Sequence, residues 1–165
     1  MTMDDRVASM SIAEQELVRF VTREARLLDE QRFDAWYDLF AEDGVYWVPL
    51  TPDQPDGINH ASLAYEDRLL LRIRIDRLKR GPPSQRPPSR SHHLLQMPEF
   101  EGRSGAAYVV RTGFHYTEAR GDEQQFYVGT AIHRLVDDGG QLKIKLKRVD
   151  LLNGDAALPG IQLFI

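Results

Sequence analysis

Five histidines and one aspartate are the residues of this 165-residue chain most readily put to chemical use. His93 and His115 fall in two neighbouring strand-like segments, and Asp29 closes a helical segment directly after Leu27 and Leu28. A His–Asp pair can shuttle a proton, and a carboxylate carried into an apolar pocket is raised toward the range of a general base. Brought together, Asp29, His93 and His115 would make an acid–base set for a dehydratase or isomerase. The plainer alternatives are a solvated or turn-capping Asp29 and histidines bonded to backbone.

Metal chemistry finds less support. A 2-His-1-carboxylate iron site needs two imidazoles and a carboxylate on one face. His60, His92, His93, His115 and His133 include no His-x-His or i, i+4 pair. His92 and His93 are adjacent, so in a strand they point to opposite faces. A Rieske cluster needs two cysteines beside its two histidines, and the chain has no cysteine. That also excludes disulfides and a cysteine nucleophile. Gly-x-Gly-x-x-Gly, the phosphate loop and Gly-x-Ser-x-Gly are all missing, which leaves no nucleotide-site or hydrolase signature.

The elements that position these residues follow from periodicity. Ser11 and Glu14 form a capping box, and Ala13, Leu17, Phe20, Val21, Ala25 and Leu28 recur at helical spacing, predicting a helix over Ile12–Asp29. Phe33–Phe40 reads as a second, shorter helix and Val45–Val48 as a strand closed by Pro49. Thr51–Gly57 is a loop, and Ser62–Tyr65 a short strand. Glu66–Arg80 reads as a helix with Leu69, Leu70, Ile73 and Leu78 inward and its basic residues outward. Gly81–Arg90 is a proline-rich surface loop whose Arg86 and Arg90 suit an acidic partner.

Four strands then follow, about Ser91–Phe100, Ala106–Ala119, Gln124–Val136 and Gln141–Leu152, separated by compact turn signals. Leu142 to Lys147 alternates strictly, the mark of a sheet with one buried and one wet face. Arg148 and Asp150 share parity with Leu142, Ile144 and Leu146. Either they point into the core face, or a bulge near Arg148 turns Val149 and Leu151 inward. Helices first and a long meander after predict an α+β domain, with a curved, mostly antiparallel sheet folded into a cone around the N-terminal helices. Trp36, Tyr46, Trp47 and Phe114 are the candidates to line a pocket in such a cone, and an aromatic-walled pocket would suit a small flat ligand. The apolar ending, Ile161 to Ile165, predicts a tail docked on its own domain or on a partner.

Composition sets the frame. Apolar content of 42% and charged content of 28% are ordinary for a soluble domain. Residues 11–165 read as one domain and residues 1–10 as a loosely ordered start. The net charge of −4 gives no general attraction for nucleic acid or anionic membrane. No apolar run approaches the ~20 residues that span a bilayer, and the N-terminus lacks a signal-peptide core. The expected location is the cytoplasm.

Several segments, in order, resemble one family. They are REARLLDEQRFDAWYDLFAEDGVYWVP (Arg23–Pro49), YEDRLLLRIRIDRLKRG (Tyr65–Gly81), PPSRSHHLL (Pro87–Leu95), GDEQQFYVG (Gly121–Gly129), LKIKLKRVDLL (Leu142–Leu152) and the IQLFI end. The family is the small (beta) subunit of bacterial aromatic-ring-hydroxylating dioxygenases. The resemblance implies the cone fold of nuclear-transport-factor-like proteins and no metal, cofactor or catalytic residue in this chain. It implies a large (alpha) subunit carrying a Rieske iron–sulfur cluster and a mononuclear iron, typically three large with three small subunits, so that this chain forms a trimer. It also implies an assembly role in aromatic compound catabolism. His115 departs from the family, falling where an apolar residue is expected. Scytalone dehydratase, of the same fold, resembles the chain at Asp29, His93 and His115, but Ala131 stands near the place of its asparagine.

Overall fold

The computed structural model describes residues 12–81, 88–156, 158 and 160–165. Among the described residues three helices, α1 (Ile12–Asp29), α2 (Phe33–Tyr37) and α3 (Arg68–Arg80), accompany seven strands. The strands are β1 (Phe40–Pro49), β2 (Ser62–Asp67), β3 (Arg90–Leu95), β4 (Glu99–Ser104), β5 (Ala107–Arg120), β6 (Glu123–Asp138) and β7 (Gln141–Leu151). They form one sheet in the order β2-β1-β7-β6-β5-β3, with β4 also paired to β5. Every pairing is antiparallel except β1 with β7. The sheet curves over α1 and α2, giving the α+β cone expected from sequence. The expected loose start and the Ser11 cap lie outside the described residues, as does most of the proline-rich loop.

Leu17, Val21 and Leu28 of α1 are buried against the sheet, as their spacing requires. The helix stops in a Schellman motif. Arg32 N–H donates to Leu27 O at 2.9 Å and Gln31 N–H to Leu28 O at 3.0 Å, with Gln31 at φ 55°. That stop leaves Asp29 on the last turn of α1, facing β3.

Four elements differ from the sequence expectation. The second helix ends at Tyr37, and Phe40 already begins β1. The expected strand Ser91–Phe100 is two strands, because Pro98 lies in it and cannot donate to a ladder. In α3 the buried residues are Leu71 and Ile75, whereas Leu69, Leu70 and Ile73 are exposed. A run of three leucines fits more than one helical stripe, and packing selected the stripe through Leu71, Ile75 and Leu78.

The fourth difference is in β7. The β6–β7 register shifts between Arg134 and Leu135, so Leu135 faces Ile144, Arg134 faces Leu146, and Lys145 is skipped. The β1–β7 register also shifts between Phe40 and Val45. Gly44 sits in that irregularity, where a Cβ would come 2.5 Å from Ile144 O. Of the two sequence alternatives the bulge is present, displaced from Arg148 to Lys145. Past it Val149 and Leu151 turn inward, and so does Lys147. Arg148 and Asp150 turn outward and pair at 3.0 Å. Arg148 also stacks on Trp47 and donates to Gln54 O at 2.9 Å, pinning the Thr51–Gly57 loop.

Candidate functional site

Asp29 and His93 meet. The Asp29 carboxylate accepts His93 N–H at 2.8 Å, Ser91 Oγ–H at 3.1 Å and His93 Nδ1 at 2.6 Å. Opposite strand parity separates the two adjacent histidines: the His93 side chain is 4% exposed and His92 77%. Burial pushes the Asp29 carboxyl up, but the His93 hydrogen bonds outweigh it and hold the group below its ordinary value. Asp29 is thus an ionised clamp that orients His93 and ties α1 to β3. Replacing it with alanine is expected to cost about 1–3 kcal/mol of stability at neutral pH. The lowered pKa places this contribution above the unfolded value, about 3.9, and it fades as pH falls below that. Urea unfolding of wild type and Asp29→Ala at neutral and acid pH measures both effects.

His115 does not join them. In the β3–β5 ladder it stands opposite Leu94, while His93 stands opposite Tyr116. Phe114 and Tyr116 are buried, so His115 between them faces outward and is exposed. The three-residue convergence that acid–base turnover would need is not present. The signal was in the sequence, since a residue flanked by two core aromatics in a strand must point away from the core.

A second polar cluster was missed. Glu24 of α1, His133 of β6 and Lys147 of β7 are all buried inside the cone. Lys147 Nζ donates to Glu24 Oε1 at 2.6 Å, Trp36 Nε1 donates to the same oxygen at 2.8 Å, and His133 Nε2 lies 3.3 Å from Oε2. Burial raises the Glu24 carboxyl, but the Lys147 charge and the His133 hydrogen bond hold it well below the usual carboxylate range. Glu24 follows Val21 by three residues and precedes Leu28 by four, so it lies on the buried stripe of α1. That spacing was the available signal. Lys147 had none, because the bulge that turns it inward leaves no mark in an alternating pattern.

The pocket candidates divide. Trp36, Tyr46 and Phe114 face the interior, with Phe164 of the C-terminal tail against two of them. Its ring centroid is 4.4 Å from Trp36, 5.7 Å from Tyr46 and 5.8 Å from Phe33, and Arg74 stacks on it at 4.2 Å. Trp47 has the opposite parity, bonding Ser62 Oγ at 2.9 Å and packing on Tyr65. The tail is held through its backbone. Buried Glu118 accepts Gln162 N–H at 3.1 Å and Leu163 N–H at 2.6 Å, and Tyr116 O–H also donates to it at 2.8 Å. Ile165 N–H donates to the Tyr46 hydroxyl at 3.1 Å, and burial pushes that phenol up to about 12. Of the two docking places expected for the tail, its own domain is the one occupied.

What remains inside the cone beside His93 and His133 is a cavity of about 10 Å³, too small for an aromatic ligand. Among the described residues no group of three or more His, Cys, Asp or Glu could hold a metal ion. No helix among them is long and apolar enough to cross a membrane.

A curved sheet closed over its helices, with its own tail in the aromatic interior, defines a filled-cone protein of the nuclear-transport-factor-like class. The family described as "Ring hydroxylating beta subunit" matches residues 23–155, and the chain belongs to it. It is therefore a beta subunit of the ring-hydroxylating dioxygenases. The 2-halobenzoate 1,2-dioxygenase small subunit of Burkholderia cepacia is 30% identical, covering 89% of this chain and 93% of its own. The crystal structure of the benzoate 1,2-dioxygenase beta subunit of Burkholderia mallei is 29% identical with a TM-score of 0.71, covering 94% and 99% of the two chains. A scytalone-dehydratase-like protein of Novosphingobium aromaticivorans shares the fold, with a TM-score of 0.62 at 15% identity over 85% and 84% of the chains.

Proposed function

We propose that this chain is the non-catalytic scaffold of a heteromeric dioxygenase, a single domain over residues 11–165 that joins three copies of itself to three large subunits in the cytoplasm. The observation that carries the reading is Phe164 seated against Trp36 and Tyr46. The chain's own tail thus fills the slot between Trp36 and Tyr46 where an aromatic substrate would stack. The chemistry of the donor set agrees: with no cysteine, this chain cannot ligate a Rieske cluster. The iron–sulfur cluster and the mononuclear iron then belong to the large subunit. Relatives named for halobenzoate and benzoate support an aromatic carboxylate as the substrate of the assembly.

The experiment is native mass spectrometry of this chain co-expressed with a large subunit encoded beside it. The expected species contains equal numbers of the two chains, three of each. A chain that stays separate from every such large subunit contradicts the proposal.

A further inference from the structure

Three buried polar atoms inside the cone have no partner among the described residues, and all border one cavity: His93 Nε2 and the pair Thr112 Oγ1 and His133 Nδ1. The register explains why the pair shares it. Val110 faces His133 and Thr112 faces Ala131 across the β5–β6 ladder. Thr112 and His133 are therefore diagonal neighbours on one inward face, the kind of pair whose side chains lie within bridging reach. Ala131 carries only a methyl group between them, and that small side chain leaves the room.

The chemistry of the two atoms narrows the occupant. His133 Nε2 lies 3.3 Å from the ionised Glu24 carboxylate, so this nitrogen carries the proton. In the neutral ring Nδ1 is then a bare acceptor. The Thr112 hydroxyl can donate or accept. A buried hydroxyl and a buried imidazole nitrogen left without partners are each destabilising, since neither recovers the hydrogen bond it made to water. The occupant must donate to one, bond the other, and fit in about 10 Å³, which is near the room that a single water needs.

We infer that the cone interior binds one structural water, bridging His133 Nδ1 and the Thr112 hydroxyl above Ala131. His93 Nε2, the third buried atom without a protein partner, borders the same cavity and is the water's next polar neighbour. The site makes the water part of the Glu24–His133–Lys147 network, because it fixes the His133 ring from the side opposite Glu24.

Two measurements on the full chain test this. A high-resolution crystal structure should show density about 2.7–3.2 Å from both atoms. Thr112→Val keeps the side-chain shape but removes the hydroxyl. With a water bound, the variant loses a hydrogen bond and its melting temperature falls by about 2–4 °C. Without one, the variant removes an unsatisfied buried hydroxyl and the melting temperature rises. A rise, or no density between Thr112 and His133, overturns the inference.

Discussion

Phe164→Ala is expected to destabilise the protein by about 3–5 kcal/mol, the range for deleting a buried phenyl ring. For a domain of this size that lowers the melting temperature by roughly 6–20 °C. The reason is position. Phe164 is wholly buried near the end of the chain, in contact with Phe33 and Trp36 of α2 and Tyr46 of β1. A tail that only rested on the surface would be a dispensable appendage. Here Glu118 and Arg74 hold its backbone, Arg74 donating to Leu163 O at 2.8 Å. The ring therefore cannot be replaced by relaxation of its neighbours, and a cavity remains. Thermal unfolding followed by near-ultraviolet circular dichroism reads the change, with Trp36 as the local reporter. A loss below about 1 kcal/mol, the size usual for a surface site, would show that the tail is not part of the core.

Lys147→Met is expected to cost a similar amount, about 3–5 kcal/mol at neutral pH, because it strands the buried Glu24 carboxylate without its cation. The pH dependence gives a sharper signature. In the wild type, Glu24 is held well below its unfolded value of 4.5. Its contribution to stability is complete above that value and is lost as pH falls toward the folded one. Without Lys147 the burial effect loses the largest interaction opposing it, and the folded carboxyl rises from its wild-type position, with His133 and Trp36 still bonded to it. The variant therefore has less carboxylate-linked stability to lose in acid, so the gap between variant and wild type narrows as pH falls. The double variant Glu24→Gln, Lys147→Met should lose less than Lys147→Met alone. Denaturant titrations across pH measure all three. A gap that widens in acid would contradict the pairing.

The elements were largely legible in the sequence, because they follow from local periodicity. The helix Ile12–Asp29 shows its stripe, and β5, β6 and β7 are bounded by turn signals close to where the strands end. The pairing of Asp29 with His93 was legible only as part of a set with His115, because the strand pattern put His92 and His93 on opposite faces without saying which faced inward. What could not be read was anything set by a register shift. Lys147 sits in a pattern that alternates with leucine and isoleucine, and only the bulge at Lys145 turns it inward. Glu118 as the clamp of the tail was equally hidden, because it depends on a chain segment 44 residues away. His115 was misplaced for another reason: chemical suggestiveness outweighed the alternation of Phe114 and Tyr116, which already put it outside.

The central claim is that the catalytic chemistry of the assembly lies in the large subunit and not in this cone. The direct measurement is turnover, per bound iron, of an aromatic carboxylate that the wild-type complex hydroxylates, by the purified complex carrying His93→Gln in this chain. Native mass spectrometry confirms beforehand that the complex is whole. Turnover per iron is expected to be unchanged from the wild-type complex. A fall of about 100-fold or more in an intact complex, the contribution of a working acid–base group, would place catalysis in this chain and contradict it.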